Sequence, residues 1–157
     1  MGSEIERKYL VDPRRWQPQG SGVRFRQGYL SVEPERVVRV RIEGDAAKLT
    51  IKGARRGLTR AEFEYDIPAA DAAAMLDHLC EQPLIDKHRH REAHLGKTWE
   101  IDVFHGDNEG LVVAEIELES EDEPVAVPEW AVTEVSADPR YFNSNLARNP
   151  YKSWTRR

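Results

Sequence analysis

Like charges recur at every second residue in several short stretches of this chain. Glu4 and Glu6, with Lys8 beyond them, open the series. Arg39 and Arg41, Glu62 and Glu64, Lys87 and Arg89, Glu100 and Asp102, and Glu115, Glu117 and Glu119 continue it. An i, i+2 spacing puts side chains on one face of an extended strand, about 7 Å apart. Any one such pair, read alone, is a solvated strand face. Here the alternate positions hold aliphatic residues (Ile5, Val38, Val40, Ile101, Val103, Ile116, Leu118), and acidic strands stay acidic while basic strands stay basic. The pattern inverts the ordinary one: the apolar faces pack outward, against helices or a partner, and the charged faces point inward. A small barrel normally fills its interior with aliphatic side chains. A charged interior makes sense if it holds water, metal and a charged ligand.

Both signs have a chemical use. Clustered carboxylates raise one another's pKa unless a cation neutralises them. Mg²⁺ and Mn²⁺ take such oxygen ligands and bridge to substrate phosphates. Arginine grips phosphate oxygens through a planar fork, and lysine acts as a mobile point charge. Acidic clusters for metal beside basic clusters for phosphate outline a phosphoryl-transfer site. The sequence holds no Walker loop, no nucleotide-binding glycine motif and no zinc-type Cys/His spacing.

Strands must carry these faces. The alternation predicts strands over 4–11, 23–31, 36–43, 48–53, 59–67, 84–93, 98–104 and 111–119. Gly44-Asp45, Gly96 and Gly106-Asp107-Asn108 read as turns between them. Ala69 to Glu81, opened by Pro68 and closed by Pro83, reads as a helix, and Asp138-Pro139 as the start of a last helical segment that Asn149-Pro150 breaks. About eight strands joined mostly by tight turns predict a mainly β, α+β fold: an antiparallel sheet curled into a barrel, with helices outside or at one end.

The 157 residues suit one domain spanning 1–157, and four Trp, five Tyr and four Phe supply core material despite 32% charged residues. The net charge of −5 argues against a nucleic-acid partner. The lone Cys80 reads as a small buried hydrophobe. No stretch approaches 18 apolar residues and the first residues lack a signal-peptide pattern, so the expected location is cytoplasmic, with no membrane partner. The aliphatic outer faces leave room for a homodimer. His88 and His90 alternate with Lys87 and Arg89 and should face outward, Trp99, Trp130 and Trp154 read as packing residues, and Arg55-Arg56 and Arg156-Arg157 read as solvated charge.

In this order the motifs resemble the CYTH superfamily of triphosphate tunnel metalloenzymes. Glu4-Ile5-Glu6-Arg7-Lys8 is similar to its N-terminal Glu-x-Glu-x-Lys signature, and Arg39-Val40-Arg41 to its Arg-x-Arg strand. Lys52, Glu62-Phe63-Glu64, Lys87-His88-Arg89, Glu100-Ile101-Asp102 and Glu115-Ile116-Glu117 follow in the family's order. The resemblance, which spans nearly the whole chain, implies an eight-stranded antiparallel tunnel that binds a triphosphate group with Mg²⁺ or Mn²⁺. It implies Glu4, Glu6, Glu115 and Glu117 as metal ligands, with Glu62 and Glu64 serving a second metal or orienting a basic residue. It implies Lys8, Arg39, Arg41, Lys52, Lys87 and Arg89 as the phosphate grip. It also points to Lys8 and Tyr29 as a pair that activates water, with metal-bound hydroxide as the alternative. The expected activity is hydrolysis of inorganic triphosphate, a small-molecule substrate. A CYTH-type adenylate cyclase, a nucleoside or thiamine triphosphatase, and a non-enzymatic polyphosphate-binding module are the competing readings.

Overall fold

The computed structural model describes residues 2–154, so the Arg156-Arg157 pair lies outside the described residues. Nine strands run in chain order: β1 (Gly2–Val11), β2 (Val23–Glu33), β3 (Arg36–Glu43), β4 (Ala46–Lys52), β5 (Thr59–Asp66), β6 (Ile85–His94), β7 (Lys97–Phe104), β8 (Val112–Glu117) and β9 (Ala131–Glu134). The sheet order is β5-β4-β3-β2-β6-β7-β8-β1-β9, and β5 also pairs with β1. That pairing closes β1 to β8 into an eight-stranded antiparallel barrel, with the short β9 extending the sheet beside the C-terminal part of β1.

Tight turns set the register. Gly44, at φ +58°, makes the two-residue hairpin between β3 and β4, where Glu43 pairs with Ala46. Leu95 and Gly96, both at positive φ, turn β6 into β7. The resulting ladders set Glu6 across from Glu117, Lys8 across from Glu115, Arg89 across from Asp102 and Lys52 across from Glu62. Charges from about ten to more than a hundred residues apart in sequence thereby share one interior.

The apolar residues divide into three clusters. Tyr9, Trp16, Trp99, Ile101, Ile116 and Leu118 pack, with Trp130, on the outer faces of β1, β7 and β8. Val40 and Ala47 pack beneath helix α1 (Ala69–His78) through Ala72 and Leu76, which covers the outside of β3 and β4. The third cluster joins Tyr29, Val37, Ile85, Phe104 and Val113 of the barrel to Tyr141, Leu146 and Ala147 of the C-terminal segment. This last cluster fills one end of the barrel, so the polar cavity is bounded by an apolar floor.

Several boundaries differ from the sequence expectation. The helix expected to reach Glu81 ends at His78. Gln82 takes the freed carbonyls of Leu76 and Cys80 instead, and the residue before Pro83 is biased away from helix. β8 ends at Glu117, so Glu119 lies beyond the barrel and is exposed. The last helical segment is broken: a 3-10 turn at Pro139–Tyr141, an extended Phe142, then α2 (Asn143–Arg148). β9 was not anticipated, because only Ala131 of its four residues is buried and its alternation is too short to read.

Candidate active site in the barrel

The barrel encloses a cavity of about 330 Å³, lined from several strands by the alternating charges. Its acidic corner comes from β1 and β8. Carboxylate oxygens of Glu4, Glu6 and Glu117 lie within 4.8 Å of one another. Burial and the neighbouring Glu115 and Glu4 push the Glu6 carboxyl well above its ordinary value. Burial, Glu4 and Glu62 push Glu117 up to about 7. Glu4 is the exception: burial opposes its charge, but Lys52 Nζ donates to its Oε1 at 2.8 Å and holds it below the ordinary value. This corner is short of positive charge, a deficit that a divalent cation relieves. Its donors are all carboxylate oxygens, the set that Mg²⁺ and Mn²⁺ prefer.

The remaining carboxylates expected as ligands sit differently. Glu115 is buried, and its oxygens meet Arg89 Nη2 at 2.9 Å and Lys8 Nζ at 3.6 Å. Burial opposes its charge, yet Lys8 and Arg89 hold it well below the usual carboxylate range. It falls outside the three-carboxylate group, one strand step deeper than Glu117. Glu62 joins the corner through Lys52 at 3.5 Å. Glu64 accepts from Thr50 Oγ1 at 3.1 Å and faces Arg39 at 3.7 Å.

The cationic wall comes from β3 and β6. Arg39 donates from Nη2 to Thr50 Oγ1, while its buried Nε has no partner. Arg41 donates from Nε to Gln27 Oε1 at 2.7 Å, and burial together with Arg39 and Arg89 draws its pKa down to about 10. Lys87 is 0% exposed and donates to Asp102 at 2.8 Å and to Asn143 Oδ1 at 3.0 Å. Burial, with Arg89 and Arg41 nearby, draws its pKa down to about 7 against the pull of Asp102. Arg89 differs: Asp102 takes its Nε and Nη2 at 2.7 and 2.9 Å, and Glu115 and Glu100 take further donors. The Phe25 ring lies 4.7 Å from the Arg41 guanidinium and 4.8 Å from that of Arg89.

Lys8 and Tyr29 line the same cavity, with their polar atoms engaged elsewhere. Lys8 Nζ donates to Tyr141 O at 3.0 Å. The Tyr29 hydroxyl accepts from Gln27 Nε2 at 3.3 Å, and burial raises its pKa. His88 and His90 face outward, where His88 Nδ1 meets His105 Nε2 at 2.7 Å and His90 packs on Trp16. Arg55 corrects the solvated reading: it lines the cavity with its guanidinium 4.5 Å from the Phe142 ring. Sequence reasoning also missed Asp102 as the buried counter-ion, and missed Gln27, Arg60, Phe142 and Asn143. Asp102 was legible in principle, as a strand neighbour of Glu100. The neutral residues and the C-terminal ones carry no charge alternation that would have marked them.

A closed barrel with carboxylates at one corner, unpaired guanidinium donors opposite and an apolar floor defines an interior site for a compact anion with a divalent cation. The chain belongs to the CYTH domain family, whose family model matches residues 2–151. It is 47% identical over 154 residues to an inorganic triphosphatase of Acetivibrio thermocellus, covering 98% of this chain and 99% of that one. It is 36% identical over 151 residues to an inorganic triphosphatase of Nitrosomonas europaea, covering 92% and 97% of the two chains. Among solved structures, an inorganic triphosphatase superposes with a TM-score of 0.65 at 34% identity over 92% of this chain and 97% of that one. A putative adenylate cyclase from Bacillus halodurans shares the fold, with a TM-score of 0.59 at 16% identity over 77% and 84% of the two chains.

Proposed function

We propose that this protein hydrolyses inorganic triphosphate with the help of a divalent cation, Mg²⁺ or Mn²⁺. The observation that carries this reading is the division of one closed interior into a carboxylate corner and a cationic wall. The family and the two curated relatives support the same reaction. Glu4, Glu6 and Glu117 would hold the cation, with Glu62 and Glu115 beside them. When bound, the cation supplies charge neutralisation of phosphate oxygens and lowers the pKa of a coordinated water. Arg39, Arg41, Lys52, Lys87 and Lys8 would grip the phosphates. Arg89 also faces the cavity, but it spends its donors on Asp102, Glu100 and Glu115, so its part in the grip is to hold those carboxylates in place.

Lys8 and Tyr29 are the proposed pair next to the attacking water. Tyr29, kept neutral by burial, can orient that water but cannot take its proton near neutral pH. The proton therefore goes to an amine or to a carboxylate with a raised pKa. Desolvated donors fixed before the substrate arrives stabilise the charge that develops on the transferred phosphoryl group.

The lining favours a bare phosphate chain over a nucleotide. It is charged nearly throughout, and Phe142, which with Tyr29 brings an aromatic ring to the cavity lining, is covered by Arg55. A pure polyphosphate binder would gain nothing from the acidic corner. No described helix is long and apolar enough to cross a membrane, and the cytoplasm remains the proposed location. The test is a panel of triphosphate, pyrophosphate, ATP and thiamine triphosphate against Mg²⁺, Mn²⁺ and Ca²⁺, with products identified. Selective release of phosphate from triphosphate is expected. Cyclic AMP from ATP, or tight binding without turnover under every metal, overturns the reading.

A further inference from the structure

Two neutral amides touch the cations of the cavity: Asn143, which lines it, and Gln27, buried against Arg41. Gln27, on β2, is 0% exposed and lies across the β2–β3 ladder from Arg41. Its Oε1 accepts from Arg41 Nε at 2.7 Å, and its Nε2 donates to the Tyr29 hydroxyl and to Asn143 Oδ1, both at 3.3 Å. Asn143 Oδ1 accepts again from Lys87 Nζ at 3.0 Å. One chain of bonds thus runs from Arg41 through Gln27 and Asn143 to Lys87, linking β3, β2, α2 and β6.

Donor counting says what this chain does. Arg41 has five N–H groups. Gln27 takes Nε and Glu43 one hydrogen of Nη1 at 3.2 Å, which leaves the rest of the fork for a ligand. Lys87 has three; Asp102 and Asn143 take two, which leaves one. Arg89 is the contrast: Glu100, Asp102 and Glu115 all take its donors, whereas Lys87 and Arg41 each meet one carboxylate, Asp102 and Glu43, beside one amide. An amide acceptor fixes the direction of a cation and leaves its charge for the anion. We propose that Gln27 and Asn143 are positioning residues that aim Arg41 and Lys87 at the phosphate chain, and that they act as one unit. This rests on the triphosphate reading above for its substrate, but not for its geometry.

The unit has a structural reason to be split between barrel and C-terminal segment. The extended Phe142 between the 3-10 turn and α2 delivers Asn143 to the cavity. Tyr141 O, two residues earlier, meets Lys8 in the same way. The seating of α2 is thereby read out at the directions of Lys87 and Arg41.

The experiment is a double-mutant cycle on the full chain with Gln27→Met, Asn143→Ala and the pair. Two readouts are taken: equilibrium binding of triphosphate in metal-free buffer, and steady-state hydrolysis with Mn²⁺. Each single variant is expected to weaken binding about tenfold, with melting temperatures near wild type for Asn143→Ala. The pair should be no weaker than the worse single variant by more than about twofold, because both break one chain. Asn143→Asp, which keeps an acceptor for Lys87 but cancels its charge beside the phosphates, should bind no more tightly than Asn143→Ala. Additive losses, unchanged affinity in the folded Asn143→Ala protein, or an Asn143→Asp that binds as tightly as wild type would overturn the proposal. If wild type binds triphosphate without hydrolysing it, the triphosphatase reading fails while the binding cycle still decides the positioning role. If wild type binds none, both fall.

Discussion

Replacing Lys87 by Met should make the protein more stable and less active. Lys87 is fully buried, and its ammonium is drawn from an ordinary value of 10.5 to about 7. A fall of that size corresponds to about 5 kcal/mol of disfavour for the charged form in the folded state. Met keeps the unbranched shape and carries no charge. Asp102 would remain satisfied by its two bonds from Arg89, and Asn143 Oδ1 by Gln27. Part of the gain is lost with the two hydrogen bonds of Nζ, which leaves about 2–3 kcal/mol at pH 7. For a chain of this size that is a rise in Tm of roughly 5–10 °C. The pH dependence has a definite sign. The unfolded lysine keeps its proton up to about 10.5, while the folded one releases it near 7, so the unfolded state binds more protons between those values. Wild-type stability should therefore rise from pH 7 towards pH 10 relative to Lys87→Met. Urea unfolding at pH 7, 8.5 and 10, in buffer free of phosphate and divalent metal, measures both effects. Hydrolysis by the variant should fall on the order of 10²-fold. A variant that unfolds more easily at pH 7, or a difference that does not change with pH, refutes the reasoning.

Asp102→Asn should do the opposite to the fold. It leaves Lys87 and Arg89 facing a neutral group in a buried setting, and the cost should be about 3–5 kcal/mol in urea unfolding. Glu6→Gln and Glu117→Gln should abolish the rise in Tm that Mn²⁺ gives wild type. In metal-free buffer at pH 8 both should be at least as stable as wild type, because their folded carboxyls are raised and the stability tied to the neutral form is lost as pH climbs. Trp99→Ala, on the outer face, should cost about 3–5 kcal/mol in stability while leaving the KM for triphosphate unchanged at temperatures where the variant is folded.

The eight barrel strands were legible because each carries its own signal, which the four residues of β9 are too few to give. Arg39 and Arg41, or Lys87 and Arg89, mark a face by alternation alone, and Gly44-Asp45 marks its hairpin. The apolar alternates were legible as outer faces for the same reason, and Val40, Ile101 and Ile116 are buried beneath α1 or the tryptophans. What the sequence hid depends on ladder register and on neutral residues. Nothing local says that Arg89 sits across from Asp102 rather than opposite a phosphate, or that Glu115 is engaged by Arg89 and Lys8 while Glu117 stands with Glu4 and Glu6. Gln27 and Asn143 are ordinary residues in ordinary elements until Arg41 and Lys87 close on them. The C-terminal segment hid most, because a break at Phe142 inside a helical pattern cannot be seen without the lysine that Tyr141 O meets.

Phosphate release from inorganic triphosphate, measured with Mn²⁺ or Mg²⁺ for wild type and for Glu4→Ala, tests the central claim most directly. Metal-dependent turnover by wild type, absent without a divalent cation and lost in Glu4→Ala, is the predicted result. Wild-type release no greater than that of Glu4→Ala, or equal release with and without metal, contradicts it.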